Sequence, residues 1–109
     1  MFITFRQNNS GGYLIQNEDV DVYVIIEGDS LEEILYKAND VFRDYREYCE
    51  CCGERWDDDW KFESDLKKEP MIYGEPLEDI EDDLWCDYVI VYFKDCKKRF
   101  NLETREWED

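Results

Sequence analysis

The sequence predicts an α+β fold: an antiparallel sheet of four to five strands packed on one main helix, with a cysteine-containing turn and an acidic loop insertion. Three observations predict it. Residues 20–27 (VDVYVIIE) alternate at period two, as a strand does, and residues 30–48 carry apolar side chains at helical spacing. Residues 85–93 (WCDYVIVYF) and 96–102 (CKKRFNL) are two strand-like runs flanking Lys94-Asp95, which reads as a hairpin turn. The chain of 109 residues suits one domain, 1–109, with one modest core.

Taken in order, residues 2–6 (FITFR) are β-branched and aromatic and read as a strand. Residues 7–12 (QNNSGG) are a turn cluster, so residues 13–15 are expected to return as a short partner strand. In the next strand Val20, Val22, Val24 and Ile26 share one face; the apolar Ile25 on the other predicts cover on both sides. Gly28-Asp29 ends it, and Ser30 with Glu33 forms a capping box that opens the helix. Leu31, Ile34, Leu35, Ala38, Val41, Phe42 and Tyr45 then make the stripe that packs on the sheet. The outer face offers Glu33–Lys37 and Arg43–Glu47 pairs at i,i+4.

Residues 45–60 (YREYCECCGERWDDDW) concentrate the unusual chemistry. Cys49, Cys51, Cys52 and Gly53 give a Cys-x-x-Cys-Gly turn, the form of a zinc knuckle with Cys49 and Cys52 as ligands. A closed site needs four ligands and no second Cys-x-x-Cys exists, so Cys51, Cys86 or Cys96 would have to contribute. A homodimer sharing one metal through two knuckles is the other route. Cys86 and Cys96 lie on one hairpin, about 20 Å apart at roughly 3.3 Å per residue, beyond disulfide reach. Five cysteines, an odd count, suit reduced thiols in a cytosolic protein. Trp56 and Trp60, if helical, share a core-facing side while Asp57, Asp58 and Asp59 face water; an exposed aromatic hot spot is the alternative. The triplet lacks the spacing of a calcium loop.

Residues 61–68 are charged and suggest a short helix, and residues 69–77 (EPMIYGEPL) an ordered loop docked by Met71, Ile72 and Tyr73. Residues 78–83 (EDIEDD) follow as the densest negative patch. The only basic cluster, Lys97-Lys98-Arg99, reads as an edge strand guarded by charge. Residues 103–109 read as a polar tail around Trp107.

Thirteen basic residues against thirty acidic ones give a net charge of −17, of which residues 51–85 carry −9. Such a field opposes direct binding of nucleic acid or anionic membranes and attracts basic surfaces. No apolar run approaches the roughly 20 residues that span a bilayer, and no signal-peptide pattern opens the chain. The chain has no histidine, so the commonest general base and metal ligand are both missing. Paired carboxylates such as Asp82 and Asp83 would face opposite ways on a strand, so an enzyme is not expected.

Five segments, FITFRQNNSGG, YVIIEGDSLEE, CECCGERW, PMIYGEP and VIVYFKD, span most of the chain in order. Together they resemble a family of small uncharacterised bacteriophage-encoded proteins. The resemblance implies a phage origin and the host cytoplasm, and brings no catalytic or binding residues with it. The expected function is that of a non-enzymatic acidic protein that binds and blocks a basic, nucleic-acid-binding surface of a host protein, such as a defence or transcription factor. Asp57, Asp58, Asp59, Glu78, Asp79, Glu81, Asp82 and Asp83 are the expected partner-binding residues. The alternative is a zinc-knuckle structural or assembly module.

Overall fold

A computed structural model describes residues 1–50, 53–81 and 86–109, the side chains of Ser10 and Cys49 excepted. In chain order come β1 (Phe2–Arg6), β2 (Tyr23–Glu27), helix α1 (Leu31–Phe42), β3 (Tyr48–Cys49), β4 (Gly53–Glu54), β5 (Met71–Ile72), β6 (Glu75–Pro76), β7 (Tyr88–Tyr92), β8 (Lys97–Asn101) and β9 (Glu106–Glu108). Five of the strands form the main sheet in the order β1-β2-β7-β8-β9. The β1–β2, β7–β8 and β8–β9 pairs are antiparallel, and β2–β7 is parallel. The parallel pair requires a crossover, and the helix with everything up to β7 supplies it. This is the α+β class the sequence predicts, with one main helix on a mostly antiparallel sheet.

The pleat of β2 sends Val24 and Ile26 to one face and Tyr23 and Ile25 to the other. On the first face Ile3, Phe5, Val24, Ile26 and Ile90 meet Ile34, Ala38 and Phe42, which recur every four residues along α1. Phe42 lies flat on Trp56, with ring centroids 4.0 Å apart and planes 8° apart, and Phe5 meets Phe42 edge-on at 5.5 Å. On the second face Ile25, Val89, Val91 and Phe100 are covered by Ile72, Leu77 and Ile80. The PMIYGEP stretch is therefore a β5–β6 hairpin, turned at Tyr73-Gly74 with φ of 53° and 79°. Two successive positive φ values match the twist of the flanking strands, and glycine supplies the second without strain. The hairpin is tied down by the Thr4 hydroxyl, which donates to the Met71 carbonyl, and by the Tyr23 and Tyr73 hydroxyls, 2.7 Å apart.

Several expectations are corrected. Residues 13–15 form no strand; the partner of β1 is β2, and the Gln7 side chain does the pairing instead. Its Oε1 accepts from Ile15 N at 2.6 Å, and its Nε2 donates to Ile15 O at 2.9 Å. Regular alternation starts only at Tyr23, because the Asp21 carboxylate accepts from Val22 N at 2.8 Å and turns Val22 to the Ile25 side. The helix stops at Phe42, continues as a 3₁₀ turn (Arg43–Tyr45) and ends well before residue 48. Arg46 is already extended there, its guanidinium taken by Asp58 at 2.6 Å.

The two predicted i,i+4 pairs do not form, because stronger partners compete. Ser30 Oγ accepts from Glu33 N at 3.1 Å as expected, while the Glu33 carboxylate caps Asp29 N at 2.8 Å. Lys37 donates to Glu27 O at 2.6 Å, Arg43 pairs with Asp40 at 3.3 Å, and Glu47 pairs with Arg55. Residues 61–68 hold one 3₁₀ turn (Glu63–Asp65) and no longer helix. Residues 106–108 are a strand that covers β8 from Arg99 to Asn101, so of the basic run Arg99 is interior, while Lys97 and Lys98 lie beyond the paired stretch.

The Phe42 ring is buried between Phe5 and Trp56. Phe42→Ala is expected to cost about 3–5 kcal/mol, as removal of a core aromatic does. Urea unfolding with an unchanged m-value checks this; a loss below about 1 kcal/mol means the stack is dispensable.

Candidate interaction face

The Cys-containing stretch folds as the β3–β4 hairpin, pairing Tyr48 with Glu54 and Cys49 with Gly53. Gly53, at φ 79°, lets the second arm turn inward and delivers Arg55 and Trp56 to the interior. The Arg55 side chain is fully buried. Its Nη2 lies 2.6 Å from Glu47 Oε2, and its Nη1 donates to Gln7 Oε1 at 2.8 Å and to the Tyr13 carbonyl at 2.9 Å. The guanidinium also sits over the Tyr13 ring at 4.6 Å, and the Tyr13 hydroxyl donates to Glu47 at 2.6 Å. The Tyr13 hydrogen bond, with Arg55 beside it, holds the Glu47 carboxyl below the usual carboxylate range. Sequence reasoning missed Arg55. Its one signal was a lone base beside a tryptophan in an acidic stretch.

The predicted Trp56–Trp60 helix face does not exist. Trp56 is buried, bridged to Gln7, and donates from Nε1 to Tyr45 O at 3.1 Å. A 3₁₀ turn (Asp58–Trp60) then throws Trp60 into solvent, 75% exposed. Residues 56–67 run along the outer edge of β1, bridging it at Gln7 and Phe2. Asp57 serves this contact: Oδ1 accepts from Arg6 N at 2.9 Å, as a strand carbonyl would, and Oδ2 pairs with Lys61 at 3.0 Å. Asp58 takes both Arg46 Nη atoms, at 3.1 and 2.6 Å, and its side chain is only 10% exposed. Two of the three expected partner-binding aspartates are thus structural, and Asp59 alone is exposed.

The second acidic group, Glu78, Asp79 and Glu81, is exposed because Leu77 and Ile80 are the inward pegs of its loop. Asp82 and Asp83 lie outside the described residues. The two acidic groups do not merge: Trp56 anchors the first on the helix side of the sheet, while Leu77 and Ile80 anchor the second on the other. What the first group gains instead is aromatic. Glu54, Asp59 and Trp60 line one cleft of about 520 Å³ together with Arg6, and beyond Lys61 come Phe62, 62% exposed, and Glu63.

Cys49 pairs with Gly53 at the turn end of its hairpin, Cys86 is half-buried against the second core, and Cys96 is exposed at the β7–β8 turn. Cys51 and Cys52 lie outside the described residues, so the expected Cys49–Cys52 pair is not on view. Among the described residues no group of three or more Cys, Asp or Glu side chains could hold a metal ion. The basic run is occupied: Lys97 pairs with Asp19 at 2.9 Å, Lys98 with Asp109 at 3.7 Å and Arg99 with Glu108 at 2.9 Å. Lys97 and then the Tyr45 hydroxyl hold Asp19 below the usual carboxylate range. No helix among the described residues is long and apolar enough to cross a membrane.

Fold and surface together define an α+β domain with a carboxylate-rich, aromatic-studded face and a buried arginine behind it. The chain belongs to the family described as a domain of unknown function, DUF7296, whose profile matches residues 1–105. No curated protein and no solved structure matches it.

Arg55→Gln is expected to cost about 3 kcal/mol, since a neutral amide cannot replace the charge-assisted bonds at both ends of the guanidinium. Acid should act both on this cluster, through Glu47, and on the Asp19–Lys97–Tyr45 contacts. A depressed folded pKa at Glu47 and Asp19 means their stabilisation is complete above the ordinary carboxylate range and is lost as pH falls through the folded values. Asp21 works the other way, because burial raises its pKa and its protonation favours the folded state. Unfolding free energy between about pH 7 and pH 3 should therefore fall less steeply in Glu47→Gln and more steeply in Asp21→Asn than in the parent.

Proposed function

We propose that this chain is a non-enzymatic acidic binding protein that covers, and so blocks, a basic surface on another protein. The observation that carries the reading is the exposure of Trp60 and Phe62 beside Glu54, Asp59 and Glu63. Aromatic faces and carboxylates recognise the same chemistry, the cations of arginine and lysine, one through the ring quadrupole and the other through charge-assisted hydrogen bonds. Exposed tryptophan is also the residue type that most often anchors a protein interface. A net charge of −17 adds long-range steering toward a positive partner. Glu78, Asp79 and Glu81 contribute to that field from the other side of the sheet.

Basic surfaces of this kind belong above all to proteins that bind nucleic acid, and carboxylates compete there with phosphates for the same cations. The likeness to phage-encoded proteins gives the reading its setting: a phage product in the host cytoplasm, acting on a host defence or transcription factor. A second reading is a zinc-knuckle module with Cys49 and Cys52 as ligands. What favours it is the β3–β4 pairing, which sets Cys49 opposite Gly53, the latter at positive φ, at the two ends of the Cys-x-x-Cys-Gly sequence.

Retention of nucleic-acid-binding proteins from host lysate at low salt tests the first reading, with release expected near 0.5 M salt, roughly where screening shortens charge contacts to a few ångströms. Trp60→Ala with Phe62→Ala should weaken capture by about tenfold or more at unchanged thermal stability. Capture that ignores both salt and the double variant would sink the proposal. Elemental analysis of protein prepared without added metal decides the second reading, which fails below about a tenth of an equivalent of zinc per chain.

A further inference from the structure

The residues that cover the edge of β1 also enclose a second cleft, of about 280 Å³, whose chemistry is opposite to that of the surrounding surface. Thr4, Arg6 and Tyr23 line it from the sheet, Tyr73 from the β5–β6 turn, and Lys61, Asp57, Asp65 and Lys67 from the segment along the edge. Arg6 stands directly across from Tyr23 in the strand register, on the face of β1 opposite Ile3 and Phe5. Three cations therefore meet in one concavity of a chain whose net charge is −17.

The two carboxylates there are already committed. Asp57 accepts from Arg6 N and pairs with Lys61, and Asp65 Oδ2 accepts from Phe62 N at 2.7 Å. The donors are not. The Arg6 guanidinium makes no hydrogen bond or ion pair among the described residues, and Lys67 Nζ reaches only the Ser64 carbonyl, at 3.5 Å. The Tyr23 and Tyr73 hydroxyls bond to each other, which leaves one phenolic proton for a further acceptor. Surplus donors in a concave site, with the Tyr73 ring 71% exposed beside them, describe an oxyanion site next to a stacking surface.

We propose that this cleft binds a phosphate monoester on a small, flat body, of the size of a nucleoside monophosphate. The Arg6 fork takes two phosphate oxygens, Lys67 supplies a point charge, and the phenol pair donates once more. A dianion balances the charge of both cations, whereas a carboxylate carries only one negative charge. The volume lies at the lower end of the range for small-molecule sites, about 300 Å³, so a larger ligand would project into solvent. Distant carboxylates repel such a ligand while the local cations hold it, so affinity should rise modestly with salt up to roughly 0.15 M. Arg6 and Asp57 line both clefts, but the site uses neither Trp60 and Phe62 nor the exposed acids, so Lys67→Gln and the Trp60/Phe62 variants separate it from the reading above.

Amide shifts in NMR titrations with adenosine monophosphate, inorganic phosphate and adenosine test it. Adenosine monophosphate should give saturable shifts at Arg6, Lys67 and Gly74, with a dissociation constant on the order of 1 mM or below. Tighter binding of the nucleotide than of inorganic phosphate supports the monoester site; equal binding of inorganic phosphate shows that the flat body contributes nothing and overturns it. Arg6→Gln should weaken binding by about tenfold and Lys67→Gln by about threefold, with Glu103→Gln as a silent control. No saturable shift at about 10 mM nucleotide, equal binding of adenosine, or full affinity in a folded Arg6→Gln variant overturns the proposal.

Discussion

The buried guanidinium of Arg55 ties together parts of the chain that the sheet alone does not hold. It joins the loop after β1, through Gln7 and the Tyr13 carbonyl, to the segment after the helix, through Glu47. Backbone bonds follow the same path: Arg55 N donates to Glu47 O, and Asn8 N donates to Arg55 O, both at 2.8 Å. Burying a charge costs several kcal/mol, offset only when counter-charge and hydrogen bonds are both in place. Glu47 supplies the charge, and the Gln7 amide oxygen and the Tyr13 carbonyl, both in the loop after β1, supply acceptors. The price of that charge is a demand for geometry: the Gln7 amide must face both Arg55 and Ile15, and Gly53 must turn the hairpin inward. The aromatic neighbour Trp56 follows Arg55 into the core and stacks on Phe42. Charge lock and hydrophobic stack are thus adjacent residues of one extended segment.

The acidic residues divide into two populations. One is internal in purpose: Asp57 caps the edge of β1, Asp58 fixes Arg46 beyond the helix, Asp19 joins Lys97 to Tyr45, and Glu108 holds Arg99. The other is exposed and unopposed, and includes Asp59, Glu63, Glu78, Asp79 and Glu81. Eight of the thirteen basic residues are ion-paired with carboxylates among the described residues, so the exposed acids dominate the external field. Arg6 and Lys67 are among those that form no ion pair there, and both line the second cleft. Edge protection follows from the same division. The edge segment shields one end of the sheet, and at the other β9 is only three residues long and acidic.

Much of the fold was legible in the residues themselves. β1, the apolar register of β2, the Ser30 N-cap, the apolar stripe of α1 and the Lys94-Asp95 hairpin all rest on local periodicity or turn chemistry, which neighbours in sequence decide. Ile25 was a sound clue to cover on both faces of β2, because an apolar side chain on a second face has no other use. The failures share a cause. Residues 13–15 pair with the Gln7 side chain, residues 46–48 leave the helix to meet Asp58 and Arg55, and residues 106–108 add a strand. Each depends on a specific partner outside the run itself, a side chain or a neighbouring strand, which local periodicity does not report.

The candidate face shows the same boundary. Sequence alone determined the composition: the net charge of −17, the absence of histidine, and the crowding of acids, cysteines and tryptophans between residues 45 and 60. Only the tertiary structure decided that Asp57 and Asp58 turn inward, that Trp56 is buried while Trp60 is exposed, and that Arg6 and Lys67 share a cleft. Charge and polarity belong to a residue wherever it sits. Exposure and pairing belong to the packed molecule, because they are set by which distant group reaches it before water does.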